Sequence, residues 1–169
     1  MVGFVLLAGN VRHMTIDVSA LAANMTQAIP FIGTVGVDFI EVTADDAGGL
    51  RAVLAMPDAQ RLHNHVGGPH AGAIFTLGET ASGAVVMAAF GDQLGRATPL
   101  AVRAEIAYRK LAMGEVRATA QLSRPIAEVV AELDAGQRPE FDVPVEISTP
   151  DGTVTAQMVV AWTLRPHRA

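Results

Sequence analysis

Glu79 is the only charged side chain between Arg61 and Asp92. It lies within the apolar run Ala71–Phe90, where a carboxylate is costly unless hydrogen-bonded, paired or neutralised. Just upstream the chain turns polar and glycine-rich, as Asn64-His65-Val66-Gly67-Gly68-Pro69-His70. If a helix starts at Ala71, the N–H groups of Ala71 and Gly72 stand unpaired at its positive end. Donors placed there suit a developing oxyanion. Apolar surroundings raise a carboxylate's pKa and strengthen it as a base. Glu79 therefore reads as a catalytic base and the turn as an oxyanion site, with Asn64 able to orient a nucleophile or a carbonyl. The competing reading is a structural carboxylate paired with a Thr or a backbone donor. Asn64 and the turn tip the balance toward chemistry.

The histidines support less. His65 and His70 are poorly spaced for shared metal ligation and no third ligand is evident, so no metal is expected. His70 is expected to shape the turn through a backbone hydrogen bond, and His63 to be exposed. His13 and His167 lie near the termini. Met87, Met158 and Trp162 fall at core periodicity and read as packing.

The elements holding these residues follow from periodicity. Ala71–Phe90 is apolar all round, which marks a buried helix. It is long enough to span a bilayer, but Glu79, Thr76, Thr80 and Ser82 favour burial within a fold. Val102, Ala104, Ile106 and Tyr108 alternate with Arg103, Glu105 and Arg109. Three further runs alternate likewise: Val116–Leu122, Phe141–Ile147 and Val154–Leu164. Period two with one wet face predicts antiparallel strands. Ala112-Met113-Gly114 and Pro150-Asp151-Gly152 are expected to close hairpins. Pro144 predicts an edge strand or a bulge.

Val35–Val42 and Leu50–Met56 read as two earlier strands joined by a turn at Asp45–Gly49. Ser19–Ile29 reads as a helix capped by Ser19 and stopped by Pro30. Pro125–Leu133 reads as a short inserted helix ended by Gly136, with Ile126, Val129, Val130 and Leu133 on its inner face. The fold class is α+β, a mostly antiparallel sheet curled around a long central helix. Residues 1–30 form an N-terminal segment and helix; 31–169 form the main body of a single domain.

Composition sets the outer bounds. The chain has 169 residues, 50% hydrophobic and 17% charged, enough for a real core. Its net charge of −5 gives no general attraction to nucleic acid. The absence of cysteine removes disulfides, thiol nucleophiles and Cys-ligated zinc. Val2–Ala8 is apolar but short and lacks a basic flank, so neither a signal peptide nor a membrane partner is expected. A cytoplasmic protein is the expectation.

Asn64, His70-Ala71-Gly72 and Glu79 together resemble the hotdog-fold thioesterases of the phenylacetate-pathway (PaaI-like) type. Their pattern is Asn, then His-Gly-Gly, then a carboxylate seven residues after the second Gly. Here Ala71 stands for the first Gly, Glu for the commoner Asp, and Ala101 lies near a position often held by Ser, with Thr98 nearby. The resemblance spans roughly residues 30–165. It implies hydrolysis of acyl-CoA thioesters, with Glu79 as general base or nucleophile and the Ala71 and Gly72 amides as oxyanion hole. No cofactor is implied beyond coenzyme A as part of the substrate. His65, Gly67, Gly68 and Thr80 would touch substrate, and Arg103, Arg109 and Lys110 would meet the CoA phosphates.

Gly72 and Glu79 are nearly two turns apart, about 10 Å along one helix. One carbonyl does not reach both on the same helix, so they are expected from two subunits of a homodimer or tetramer. This agrees with what the resemblance implies. His65 and Glu79 also resemble the base and acid of hotdog β-hydroxyacyl-thioester dehydratases, with Gly68 three residues after His65. A non-catalytic acyl-CoA binding module is the remaining alternative.

Overall fold

The computed structural model describes residues 16–44 and 49–168. The apolar stretch at 2–8, His13 and most of the turn expected at 45–49 lie outside the described residues. In chain order the elements are α1 (Val18–Ala28), α2 (Pro30–Val35), β1 (Asp38–Ala44), β2 (Leu50–Met56), α3 (Ala71–Phe90), β3 (Ala97–Tyr108), β4 (Val116–Gln121), α4 (Ile126–Asp134), β5 (Glu140–Ser148) and β6 (Val154–Pro166). The strands form one six-stranded sheet in the order β1-β2-β4-β5-β6-β3. Every pairing is antiparallel. This is the expected α+β architecture, a hotdog fold.

The sheet wraps α3. Leu77, Ala81, Ala84, Val85, Val86 and Phe90 are buried on the helix, against Leu54, Ala118, Ile147 and Met158 of the strands. Each large side chain so buried contributes roughly 1.5–3 kcal/mol. Gly78 permits the close approach: a Cβ there would lie 2.7 Å from Met158 Sδ and 3.3 Å from Ile147 Cδ1. The helix is long and apolar enough to cross a membrane, yet 67% of its most apolar stretch is buried inside the fold.

Several expectations are corrected. Asp17, not Ser19, caps α1, with Oδ1 accepting the Ala20 N–H at 2.9 Å. Pro30 opens α2, because a proline at the first helical position forfeits no hydrogen bond. Val35 therefore ends a helix. Gly36, left-handed at φ 78°, turns the chain, and β1 begins at Asp38.

Ala112-Met113-Gly114 is a crossover, not a hairpin, since β6 and β5 lie between β3 and β4. Pro150-Asp151-Gly152 does close the β5–β6 hairpin, with the Thr149 N–H donating to Thr153 O at 3.0 Å. Strand β3 is an edge with a bulge between Ala101 and Arg103. Its expected inner face is only partly covered, with Val102 43% and Tyr108 48% exposed, because α3 lies chiefly across β2, β4 and β5.

Pro144 sits in an interior strand, and the irregularity in the β5–β6 ladder falls at Ile147 and Ser148, away from the proline. The β4–β5 ladder stops at Ala120↔Val145, one step before the missing proline N–H would be needed. Beyond it, the Ser123 hydroxyl donates to Asp142 O and Arg124 Nη1 donates to Glu140 O, which occupies the vacated side of β5.

Candidate active site

The turn before α3 is organised by Asn64. Its Oδ1 accepts the N–H groups of Val66 (2.9 Å) and Gly68 (3.3 Å), and its Nδ2 donates to Pro69 O (3.2 Å). An antiparallel bridge joins His63 to Pro69. Gly67 takes φ 81°, which favours glycine. The Asn64 carbonyl is thus spent on the turn, and its role is to shape the backbone ahead of α3. Gly68 is buried, and a Cβ there would fall on the Ala112 carbonyl oxygen. Gly68→Ala is expected to cost about 1–3 kcal/mol through backbone displacement. Urea denaturation checks this, and an unchanged midpoint and slope would contradict it.

His70 is the N-cap of α3. Its Nδ1 accepts the Gly72 N–H at 3.0 Å, and its carbonyl accepts from Ala73 and Ile74. The expected backbone role of His70 is present, but it occupies one of the two amides expected to hold an oxyanion. The Ala71 N–H has no acceptor among the described residues. Tyr108 donates its hydroxyl to Ala71 O at 2.9 Å, and burial pushes its pKa up. Ala71, Asn64, Tyr108, Arg109 and Lys110 border an open cavity of about 410 Å³.

Glu79 faces a second cavity, of about 190 Å³, enclosed between α3 and the α1–α2 pair. Met25, Ile32, Gly83, Met87, Pro99 and Trp162 form its walls. The Glu79 carboxylate is half-buried and has no hydrogen bond or ion pair among the described residues. Desolvation by burial raises its pKa. Thr80 lines the same cavity at 3% exposure, and its hydroxyl has no partner among the described residues. Below them Trp162 Nε1 donates to Ser82 Oγ at 3.0 Å, and Ser82 Oγ donates to Glu79 O at 2.7 Å. This pair ties β6 to the helical turn that carries the carboxylate.

The two cavities share no lining residue. Asn64, Ala71, Arg109 and Lys110 come together at one, and Glu79 and Thr80 at the other. Arg103 joins neither: it ion-pairs with Glu105 at 3.4 Å and borders a third depression beside Arg124 and Glu140. His65 is exposed at the turn and lines neither cavity, so within one chain it does not meet Glu79. His63 is half-buried rather than exposed, with Nε2 2.6 Å from Asp58 Oδ1. Thr98 Oγ1 lies 3.0 Å from His167 Nε2, and Pro99, not Thr98, reaches the Glu79 cavity. No group of three potential metal-ligating residues occurs among the described residues.

Sequence reasoning missed the N-terminal wall, Met25, Ile29 and Ile32, and read Met87 and Trp162 as packing alone. The unpaired polar groups in α3 were the available signal. Glu79 and Thr80 need a space to face, and only an element far away in the chain can enclose it.

The profile of a domain of unknown function, DUF4442, matches residues 18–164, from α1 through β6. The chain belongs to the DUF4442 family. The match takes in both cavities of this DUF4442 domain. No curated protein matches. Among solved structures, the domain is similar to PA5026 from Pseudomonas aeruginosa, described as of unknown function and as "Probable Thioesterase". That likeness has a TM-score of 0.77 and 25% identity, over 92% of this chain and 100% of that one. A thioesterase family protein from Silicibacter pomeroyi aligns with a TM-score of 0.66 and 19% identity, over 88% and 98% of the two chains. The E. coli PaaI protein from the phenylacetic acid degradation operon aligns at 0.62 and 18%, over 89% and 94%. The fold is therefore that of thioesterase-family hotdog proteins.

Proposed function

We propose that this DUF4442 protein hydrolyses acyl-CoA thioesters. The observation that carries the proposal is Glu79, a carboxylate without a partner among the described residues that borders an apolar cavity. Half-burial raises its pKa while its oxygens stay open to the cavity, as a base that must reach a water molecule requires. The names of its structural neighbours point to the same chemistry.

In this reading Glu79 takes a proton from water, and the water oxygen bonds to the thioester carbonyl carbon. The carbonyl oxygen becomes an oxyanion that accepts from the Ala71 N–H. Collapse breaks the C–S bond, and the thiolate leaves with the proton that Glu79 had taken. The products are a carboxylic acid and coenzyme A. Gly72 would serve as second donor once the carbonyl displaces His70 Nδ1. Arg109 and Lys110, at the mouth of the Ala71 cavity, would meet the CoA phosphates. Removing either is expected to raise KM several-fold with kcat unchanged.

The base and the amide open into different cavities of one chain, so the working site combines Glu79 of one subunit with Ala71 of another. Edge strand β3 is suited to this pairing. Leu100 and Val102 are 37% and 43% exposed, and one backbone edge is unpaired among the described residues. A second copy covering that edge would bury both. A CoA-dependent substrate fits the cytoplasmic location expected from the sequence.

The direct test is thiol release from short, aromatic and long acyl-CoAs. Turnover of at least one is expected. Inactivity on all of them, with intact acyl-CoA binding, would overturn hydrolysis in favour of a binding module.

A further inference from the structure

We infer that the cavity between α1–α2 and α3 is the acyl-tail pocket and that it selects compact acyl groups, with Gly83 and Met25 setting the length limit. The inference rests on the thioesterase reading for its chemistry and adds the substrate class. The cavity adjoins the reacting carboxylate, so a carbonyl beside Glu79 directs its tail into it. Its walls are apolar: Met25, Ile29 and Ile32 close one side, and Met87 and Trp162 the other. The cavity measures about 190 Å³; an apolar protein cavity of about 150 Å³ takes up benzene, so the space suits a tail of about six carbons or one aromatic ring.

The far wall is set by three residues. A Cβ on Gly83 would lie 3.6 Å from Met25 Cε and 3.7 Å from two carbons of the Trp162 ring. These are ordinary contacts, so a small side chain at this position fills space without forcing the fold apart. Met25 is 4% exposed and supplies a flexible end wall. Thr80, whose hydroxyl has no partner among the described residues, marks the polar end of the cavity near Glu79.

Trp162 is the only tryptophan in the chain, so its fluorescence reports on this cavity alone. Two measurements test the inference. In the first, kcat/KM is measured for butanoyl-, hexanoyl-, benzoyl- and dodecanoyl-CoA with wild type, Gly83→Val and Met25→Ala. One misfitting methylene in an apolar pocket is worth about 10–200-fold. Hexanoyl- or benzoyl-CoA should therefore exceed dodecanoyl-CoA by at least about 10-fold in wild type. Gly83→Val should move the optimum to butanoyl-CoA, and Met25→Ala should raise activity on the longer chain. In the second, Trp162 fluorescence is titrated with the non-hydrolysable S-butyl-, S-hexyl- and S-dodecyl-CoA. Quenching or a spectral shift with S-hexyl-CoA, lost in Gly83→Val, is expected.

Hydrolysis that shows no chain-length preference, or profiles that both variants leave unchanged, overturns the inference while the thioesterase reading stands. Absent hydrolysis with a length-dependent Trp162 response overturns the thioesterase reading and keeps the pocket. A Trp162 signal indifferent to every alkyl chain overturns the pocket whatever the activity.

Discussion

Glu79→Gln is expected to lower kcat/KM for thioester hydrolysis by about 100–10,000-fold, the usual range for loss of a positioned general base. The same substitution is expected to leave thermal stability unchanged or to raise it. Glu79 has no hydrogen bond or cation among the described residues, and desolvation raises its pKa. A native carboxyl with a raised pKa holds its proton more tightly than the unfolded chain does. Its contribution to stability is complete below the ordinary carboxylate range and is lost as pH rises through the raised value. At neutral pH the ionised Glu79 therefore costs stability, and an amide of the same shape removes that cost. Activity should run the opposite way, rising with pH as Glu79 ionises. Paired kinetics and calorimetry across pH check both trends. A Gln variant that is less stable and equally active would mean that Glu79 is structural.

This opposition explains what was legible in the sequence. A charge without a local partner inside Ala71–Phe90 is visible by inspection, and so is the all-round apolar helix that requires a sheet about it. The alternation in β5 is equally plain: Phe141, Val143, Val145 and Ile147 are buried, while Glu140, Asp142 and Glu146 are exposed. Periodicity reports the environment of each strand but not its neighbours. The exposure of Val102 and the crossover at Ala112–Gly114 follow from sheet order, which no local pattern encodes. Pro144 shows the same limit. It announced a missing N–H correctly, but the ladder accommodated it by ending β4 rather than by moving β5 to the edge.

The Glu79 cavity was illegible for a related reason. Met25 and Ile32 reach Gly83 and Met87 from more than fifty residues away in the chain. By contrast, the capture of the Gly72 N–H by His70 is local, and an N-cap side chain accepting from the second or third helical residue is its ordinary signature. The proposed oxyanion site at the start of α3 is thus partly closed by its own cap, which makes Ala71 the amide to remove.

Ala71→Pro removes that amide with little other change. Proline is favoured at the first helical position. The preceding His70, at φ −63° and ψ 140°, already has the extended conformation that a following proline requires. The helix should form as before, while one oxyanion donor is lost, at about 100–1,000-fold in kcat. The composite site then makes a sharper prediction. Ala71→Pro and Glu79→Gln proteins are each nearly inactive, but subunits mixed by reversible dissociation form hybrids. In a two-fold dimer each hybrid places both substitutions at one site and leaves the other intact. Random mixing makes about half the dimers hybrids, each with one of its two sites intact, so about a quarter of wild-type activity should return. Mixtures that stay inactive after demonstrated subunit exchange would place Glu79 and Ala71 at the same site of one chain. The separation of the Glu79 and Ala71 cavities argues against that outcome.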